Sequence, residues 1–149
     1  MEYPGYGFFS HKIKDNEIDK SSKYSCSNQK IKANSITVFQ HAIKAKSQGG
    51  LGFKPEQIII IGRSMGSGPT SLLGARFKPR CIILMSPYTT IKEVAKNVVG
   101  GFLALLVAEH FNNRENMKVV RCPVLLIHGE ADTLIPSQHS QVLFESLMN

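Results

Sequence analysis

Three short runs of apolar residues punctuate this chain: IIIIG at 58–62, CIILMSP at 81–87 and PVLLIHG at 123–129. Each is nearly unbroken, β-branched or leucine-rich, and bounded by turn residues. That is the pattern of a parallel strand buried on both faces. Between them lie stretches of helical periodicity. From 34 to 46, NSITVFQHAIKAK places Ile36, Phe39, Ala42 and Ile43 on one stripe, with Asn34 or Ser35 as N-cap and Gly49 and Gly50 as the stop. The small residues after Ser64 and the segment TSLLGARF predict a helix to about residue 77, with Pro69 just past its first turn, where a missing N–H costs least. Residues 89–111 read as one or two helices broken near Gly100 and Gly101, a cap-like excursion from the alternating pattern. Residues 137–148 read as a helix with Ser137 at its cap and Val142, Leu143 and Leu147 on its stripe. The opening MEYPGYG is a candidate strand end followed by a turn. Alternating strands and helices predict an α/β fold with a parallel sheet, whose right-handed crossovers cover both faces.

One segment breaks this pattern. Residues 10–32 are polar, rich in Lys, Ser and Asn, and without clear periodicity, so they read as a long exposed loop or insertion. They contribute much of the net charge of +7, which arises from 18 basic and 11 acidic residues among 149. Such a charge admits an anionic membrane surface as a partner, or simply a solvated basic face. No nucleic-acid-binding motif accompanies it, so nucleic acid is not an expected partner. Length fits one domain with a single core. The three cysteines, Cys26, Cys81 and Cys122, are widely spaced and form no CxxC pair or Cys/His cluster. The pattern fits a reducing compartment and argues against a structural metal. The N-terminus has no signal-peptide pattern. The longest apolar run, 98–108, is too short to span a bilayer, which takes roughly 20 residues. These features predict an intracellular protein, cytoplasmic or peripheral to a membrane.

The chemistry concentrates at the ends of the strands. IIIIGRSMG contains Gly62-x-Ser64-x-Gly66 in a strand–turn–helix setting, the pattern of a nucleophile elbow. A sharp turn at Ser64 strains its backbone, demands small neighbours two residues to either side, and stands its hydroxyl at the carboxyl edge of the sheet. The helix start behind it, including the Met65 N–H, is suited to a developing oxyanion. The competing reading is a Gly-rich turn whose serine does no chemistry. In LLIHGEADTLIP, Asp132 follows the third strand, the chain order of a Ser–Asp–His triad. Asp132 is then either the triad acid or a loop residue making an Asx turn. Of the five histidines, His11, His41, His110, His128 and His139, only His139 follows Asp132. It is a weak candidate base and fits a helix-surface position better. His128 fits a residue packing the turn.

These residues resemble the α/β-hydrolase superfamily. YPGYG, PEQIIIIGRSMGSGPTSLLGAR, IILMSPYTTIKEVA and CPVLLIHGEADTLIPSQHS are similar to the branch called α/β-hydrolase-domain-containing protein 17, and to serine peptidase S33-type sequences. The resemblance covers almost the whole chain except residues 10–32. It implies a serine hydrolase acting on acyl esters or thioesters, since members of the nearest branch remove palmitoyl groups from protein cysteines at membranes. The substrate it implies is an acylated protein or a small acyl ester, with no cofactor. Carried over by motif, Ser64 is the nucleophile, Met65 the backbone oxyanion donor and Asp132 the acid. The family's histidine follows a further strand, and no residue here matches it. The early strands that should precede MEYPGYG are not matched either. The resemblance therefore implies a partial domain, inactive by itself, in which Val98–Val107 either line an acyl-chain pocket or pack over the sheet. The alternative is a non-catalytic binding protein on a degraded hydrolase scaffold.

Overall fold

The computed structural model describes residues 27–99 and 111–148. The three apolar runs form strands β1 (Ile59–Arg63), β2 (Cys81–Met85) and β3 (Val124–Ile127). They are all parallel, in the order β1-β2-β3, with Ile60 opposite Ile82 and Ile82 opposite Val124. The α/β class with a parallel sheet is as the sequence predicts.

Among the described residues, five α-helices accompany the sheet. The first, α1 (Asn28–Ile43), starts earlier than expected. Its cap is Ser27, whose hydroxyl accepts from the Lys30 N–H, and not Asn34 or Ser35. Ser35 lies buried within the helix and donates to the Ile31 carbonyl at 2.6 Å, so its polarity is absorbed one turn back. The buried stripe is accordingly Ile31, Ser35 and Phe39, and residues 28–32 are helix instead of loop. The helix ends at Ile43, before the glycines. A short 3-10 turn, Lys46–Gln48, follows, closed by Gly49 at φ 79. The helix after Ser64 is α2 (Ser67–Phe77), preceded by a 3-10 turn at Ser64–Gly66. Next come α3 (Ile91–Val99), α4 (Asn113–Val119) and α5 (Gln138–Met148). The periodicity did not predict α4, yet its cap is visible in the sequence. Asn112 accepts from the Glu115 N–H at 3.1 Å, an Asn-x-x-Glu start signal. The expected break near residues 100 and 101, most of the 98–108 apolar run, most of the 10–32 segment and the MEYPGYG opening lie outside the described residues.

Strand side chains alternate between faces, and here the two faces have different fates. Ile60, Ile82, Leu84, Val124 and Leu126 point into a core completed by Ala75 of α2, Met117 of α4 and Leu143 and Leu147 of α5. Ile82, Leu84, Met117 and Leu143 are fully buried, and each contributes about 1.5–3 kcal/mol of transfer free energy. On the other face Ile59, Ile61, Leu125 and Ile127 are 43–63% exposed. The expected burial on both faces is therefore found on one only. A run in which every position is apolar carries no alternation, so it cannot report which face is covered. A second cluster, Ile31, Tyr88, Phe111 and Ile135, ties α1 to the loops at the carboxyl ends of β2 and β3.

Candidate functional site

Parallel strands bring their carboxyl ends to one edge of the sheet. At this edge β1 leads into Ser64, β2 into Ser86, and β3 into the loop that holds Asp132. Ser64 sits at φ 50, in the left-handed region, a conformation that costs a non-glycine residue about 1–3 kcal/mol and survives only where its surroundings enforce it. The enforcement is visible. Gly62 is buried against the returning helix, and a Cβ there would run into the Gly66 carbonyl and Thr70 Oγ1. Ser67 Oγ donates to the Ser64 carbonyl at 2.6 Å, fastening the turn from the helix side. The side chain of Met65, next in the chain, is half exposed. Its N–H stands among the first amides of a helical segment, which lack intrahelical acceptors and bind anions.

Asp132 is held by its own loop. Its Oδ1 accepts from the Ile135 N–H at 2.9 Å and the Leu134 N–H at 3.1 Å. The Ile135 amide is the main reason its carboxyl lies below the ordinary value; partial burial opposes this, and the Ser86 hydroxyl, the Leu134 amide and the nearby His128 add to the lowering. The Asx-turn geometry anticipated for a loop acid is thus present, while Oδ2 lies 3.8 Å from His128 Nε2. His128 itself is a brace. Its Nδ1 lies 2.6 Å from Ser140 Oγ and its Nε2 2.6 Å from the Ile135 carbonyl. A carbonyl can only accept, so Nε2 carries a proton.

Ser64 and Asp132 are not in contact. Ser64 follows β1 directly, whereas Asp132 lies five residues beyond the end of β3, beside Ser86, and no hydrogen bond joins the two. Among the described residues no histidine bonds to the Ser64 hydroxyl. His41 is exposed on α1. His139 is not at the helix surface as expected but 8% exposed. Its Nδ1 lies 2.7 Å from Thr89 Oγ1 and 3.3 Å from the Thr89 N–H, and Thr89 Oγ1 in turn donates to Glu93. Burial pushes the His139 imidazole below its ordinary value, against the opposing pull of Glu93. Ser86, which the sequence reading passed over, is the second left-handed serine at this edge, at φ 44, and its N–H donates to the Ile127 carbonyl at 2.8 Å. Its only sequence signal was the Ser-Pro step that ends β2. Among the described residues no cluster of His, Cys, Asp and Glu could hold a metal ion, and no helix is long and apolar enough to cross a membrane.

The chain has relatives among known proteins. Alpha/beta hydrolase domain-containing protein 17B of Homo sapiens is 35% identical over 94 residues, covering 63% of this chain and 32% of that protein. Lysophosphatidylserine lipase ABHD12 of Danio rerio is 33% identical over 110 residues, covering 61% of this chain and 29% of that one. Pyrococcus horikoshii acylaminoacyl peptidase superposes with a TM-score of 0.55 at 19% identity, over 81% of this chain and 20% of that one, a likeness of fold. The chain is related to the α/β-hydrolase superfamily. No family model matches it. It spans about a third of the length of the curated relatives it matches. Within the superfamily's fold, the described edge corresponds to the place where α/β sheets carry their ligands, outside the carboxyl ends of the strands.

Proposed function

We propose that this chain carries the nucleophile and the acid of a serine hydrolase that cleaves acyl esters or thioesters, with an acylated protein or a small acyl ester as substrate. The observation that carries the reading is Ser64 at φ 50 between a parallel strand and a helix start. That strain has a use if the hydroxyl must stand proud of the sheet edge. Ser64 Oγ attacks the acyl carbonyl, the Met65 N–H stabilises the oxyanion, and collapse of the tetrahedral intermediate expels the alcohol or thiol and leaves an acyl-enzyme for water to release. Asp132, kept ionised by the Ile135 and Leu134 amides, orients the histidine that serves as base. The reading takes that histidine from outside the described residues. Its relation to protein depalmitoylation rests on the sequence likeness to the 17B branch.

A fluorophosphonate probe tests the reading. Where the catalytic histidine is present, Ser64 is expected to label, Ser64→Ala to abolish labelling, and Asp132→Asn to slow it by a factor on the order of 10³–10⁴. Labelling that persists unchanged in Ser64→Ala overturns it. A second reading, a non-catalytic binding protein on a hydrolase scaffold, is favoured by the absence of any histidine bonded to Ser64 among the described residues, and complete failure to label would support it.

A further inference from the structure

The hydrogen bond from Ser67 to the Ser64 carbonyl does not stand alone. Ser67 Oγ also accepts from Asn113 Nδ2 at 3.0 Å. Asn113, the first residue of α4, is fully buried, and every polar atom of its side chain is paired. Its second Nδ2 hydrogen goes to the Tyr88 carbonyl at 2.7 Å, and its Oδ1 lies 2.7 Å from Ser71 Oγ. The amide orientation is determined by its surroundings. The Tyr88 carbonyl can only accept, so Nδ2 must face it, and Oδ1 faces the Ser71 hydroxyl, whose proton it shares with the Gly68 carbonyl. The Asn113 backbone N–H donates to the Thr89 carbonyl at 2.9 Å. One buried residue thus joins three pieces: the elbow helix through Ser67 and Ser71, the loop after β2 through Tyr88 and Thr89, and α4 to which it belongs.

We propose that Asn113 is the positioning residue of the elbow: through Ser67 it holds the Ser64 carbonyl, and so keeps Ser64 left-handed with its hydroxyl raised. A buried asparagine is costly unless every polar atom is paired, and this one is paired to the group that fastens the strained residue. Ser67 has one proton, and it goes to Ser64. The Asn113 donor fills a Ser67 lone pair and fixes the rotamer in which that proton points at the Ser64 carbonyl. An apolar residue at position 113 would leave Ser67 free to turn toward other acceptors on the first turn of α2. The inference deepens the reading of Ser64 as nucleophile and rests on it for its catalytic meaning.

The test uses the full 149-residue chain with Ser67→Ala, Asn113→Ala, the double variant, and Asn116→Ala. Asn116 donates to Ser71 at 2.8 Å from the same helix, so its loss loosens α4 without touching Ser67. Two quantities are read: the rate of fluorophosphonate labelling per folded molecule, and NMR hydrogen exchange of the Met65, Gly66 and Ser67 amides. Ser67→Ala and Asn113→Ala are each expected to slow labelling about tenfold, the scale of a small misplacement of a reacting group, and to speed exchange at those amides. The double variant is expected to add nothing to either single change, and Asn116→Ala to leave both quantities as in the parent. Parent-like labelling and exchange in Asn113→Ala, or an equal effect from Asn116→Ala, overturns the proposal. If the parent chain does not label, as a chain inactive by itself would not, the exchange data alone decide the positioning. If Asn113→Ala does not fold, Ser67→Ala alone decides, since it removes the same link from the other end.

Discussion

At the scale of single residues, Asp132 and His139, both displaced downward, are built differently and leave different marks on stability. Asp132 is ionised because backbone amides and a serine hydroxyl bond to its charged form. Its folded value lies below the ordinary 3.8, so its contribution is present above that pH and is lost as pH falls through the folded value. His139 is neutral because burial beside Thr89 disfavours the cation. Its folded value lies below the ordinary 6.5, so the unfolded chain takes up a proton first, and stability falls as pH drops below about 6.5 toward the folded value. Glu93 pulls the other way, and His128, braced between Ser140 and Ile135, adds to the lowering. A series of thermal midpoints against pH checks both. The parent is expected to lose stability in two stages, His139→Gln to lose the stage that begins near pH 6.5, and Asp132→Asn to lose the one below pH 4. A His139→Gln curve that still bends near pH 6.5 contradicts the first assignment.

At the scale of elements, the strand-to-helix turn depends on close approach more than on the strained serine alone. The Gly66 carbonyl and Thr70 Oγ1 occupy the space where a Gly62 side chain would begin. The first is backbone of the 3-10 turn, and α2, which carries Thr70, is packed on β1 and β2, so neither has room to yield. Gly62→Ala is expected to destabilise the protein by about 1–3 kcal/mol, measured by urea unfolding, and to lower Ser64 labelling even where the protein remains folded. An unchanged midpoint would mean that the turn has slack. The elbow was legible because its requirements are local: a β-branched run, a glycine on either side of the serine, a small-residue helix. The three strands were legible for the same reason. Helix α4 was not, because seven residues are too few to show a period, and Asn113 is held by Ser67, Ser71 and Tyr88, all more than twenty positions away in sequence. The start of α1 was misjudged because Ser35, a plausible cap, spends its hydroxyl inside the helix. His139 looked like a surface residue since its partner, Thr89, lies fifty positions away in sequence.

At the scale of the whole molecule, the sheet is covered unequally. Met85 joins Ile59, Ile61, Leu125 and Ile127 as exposed apolar residues on one face, with Ile83 and Cys81 between them half-buried. The register sets Ile61 beside Ile83 and Ile83 beside Leu125, so they form one contiguous patch, not scattered single residues. Contiguous apolar surface that faces water associates with whatever apolar surface it meets. The isolated chain is therefore expected to bind an apolar dye such as anilinonaphthalene sulfonate while retaining a cooperative unfolding transition, which separates a native patch from a molten state. Ile61→Thr and Leu125→Thr together should reduce dye binding and leave the unfolding midpoint within about 1 kcal/mol, because both side chains are more than half exposed. Loss of the cooperative transition in the double variant would show that the face is packed in solution, as would parent protein that binds no dye and runs as a monomer at every concentration.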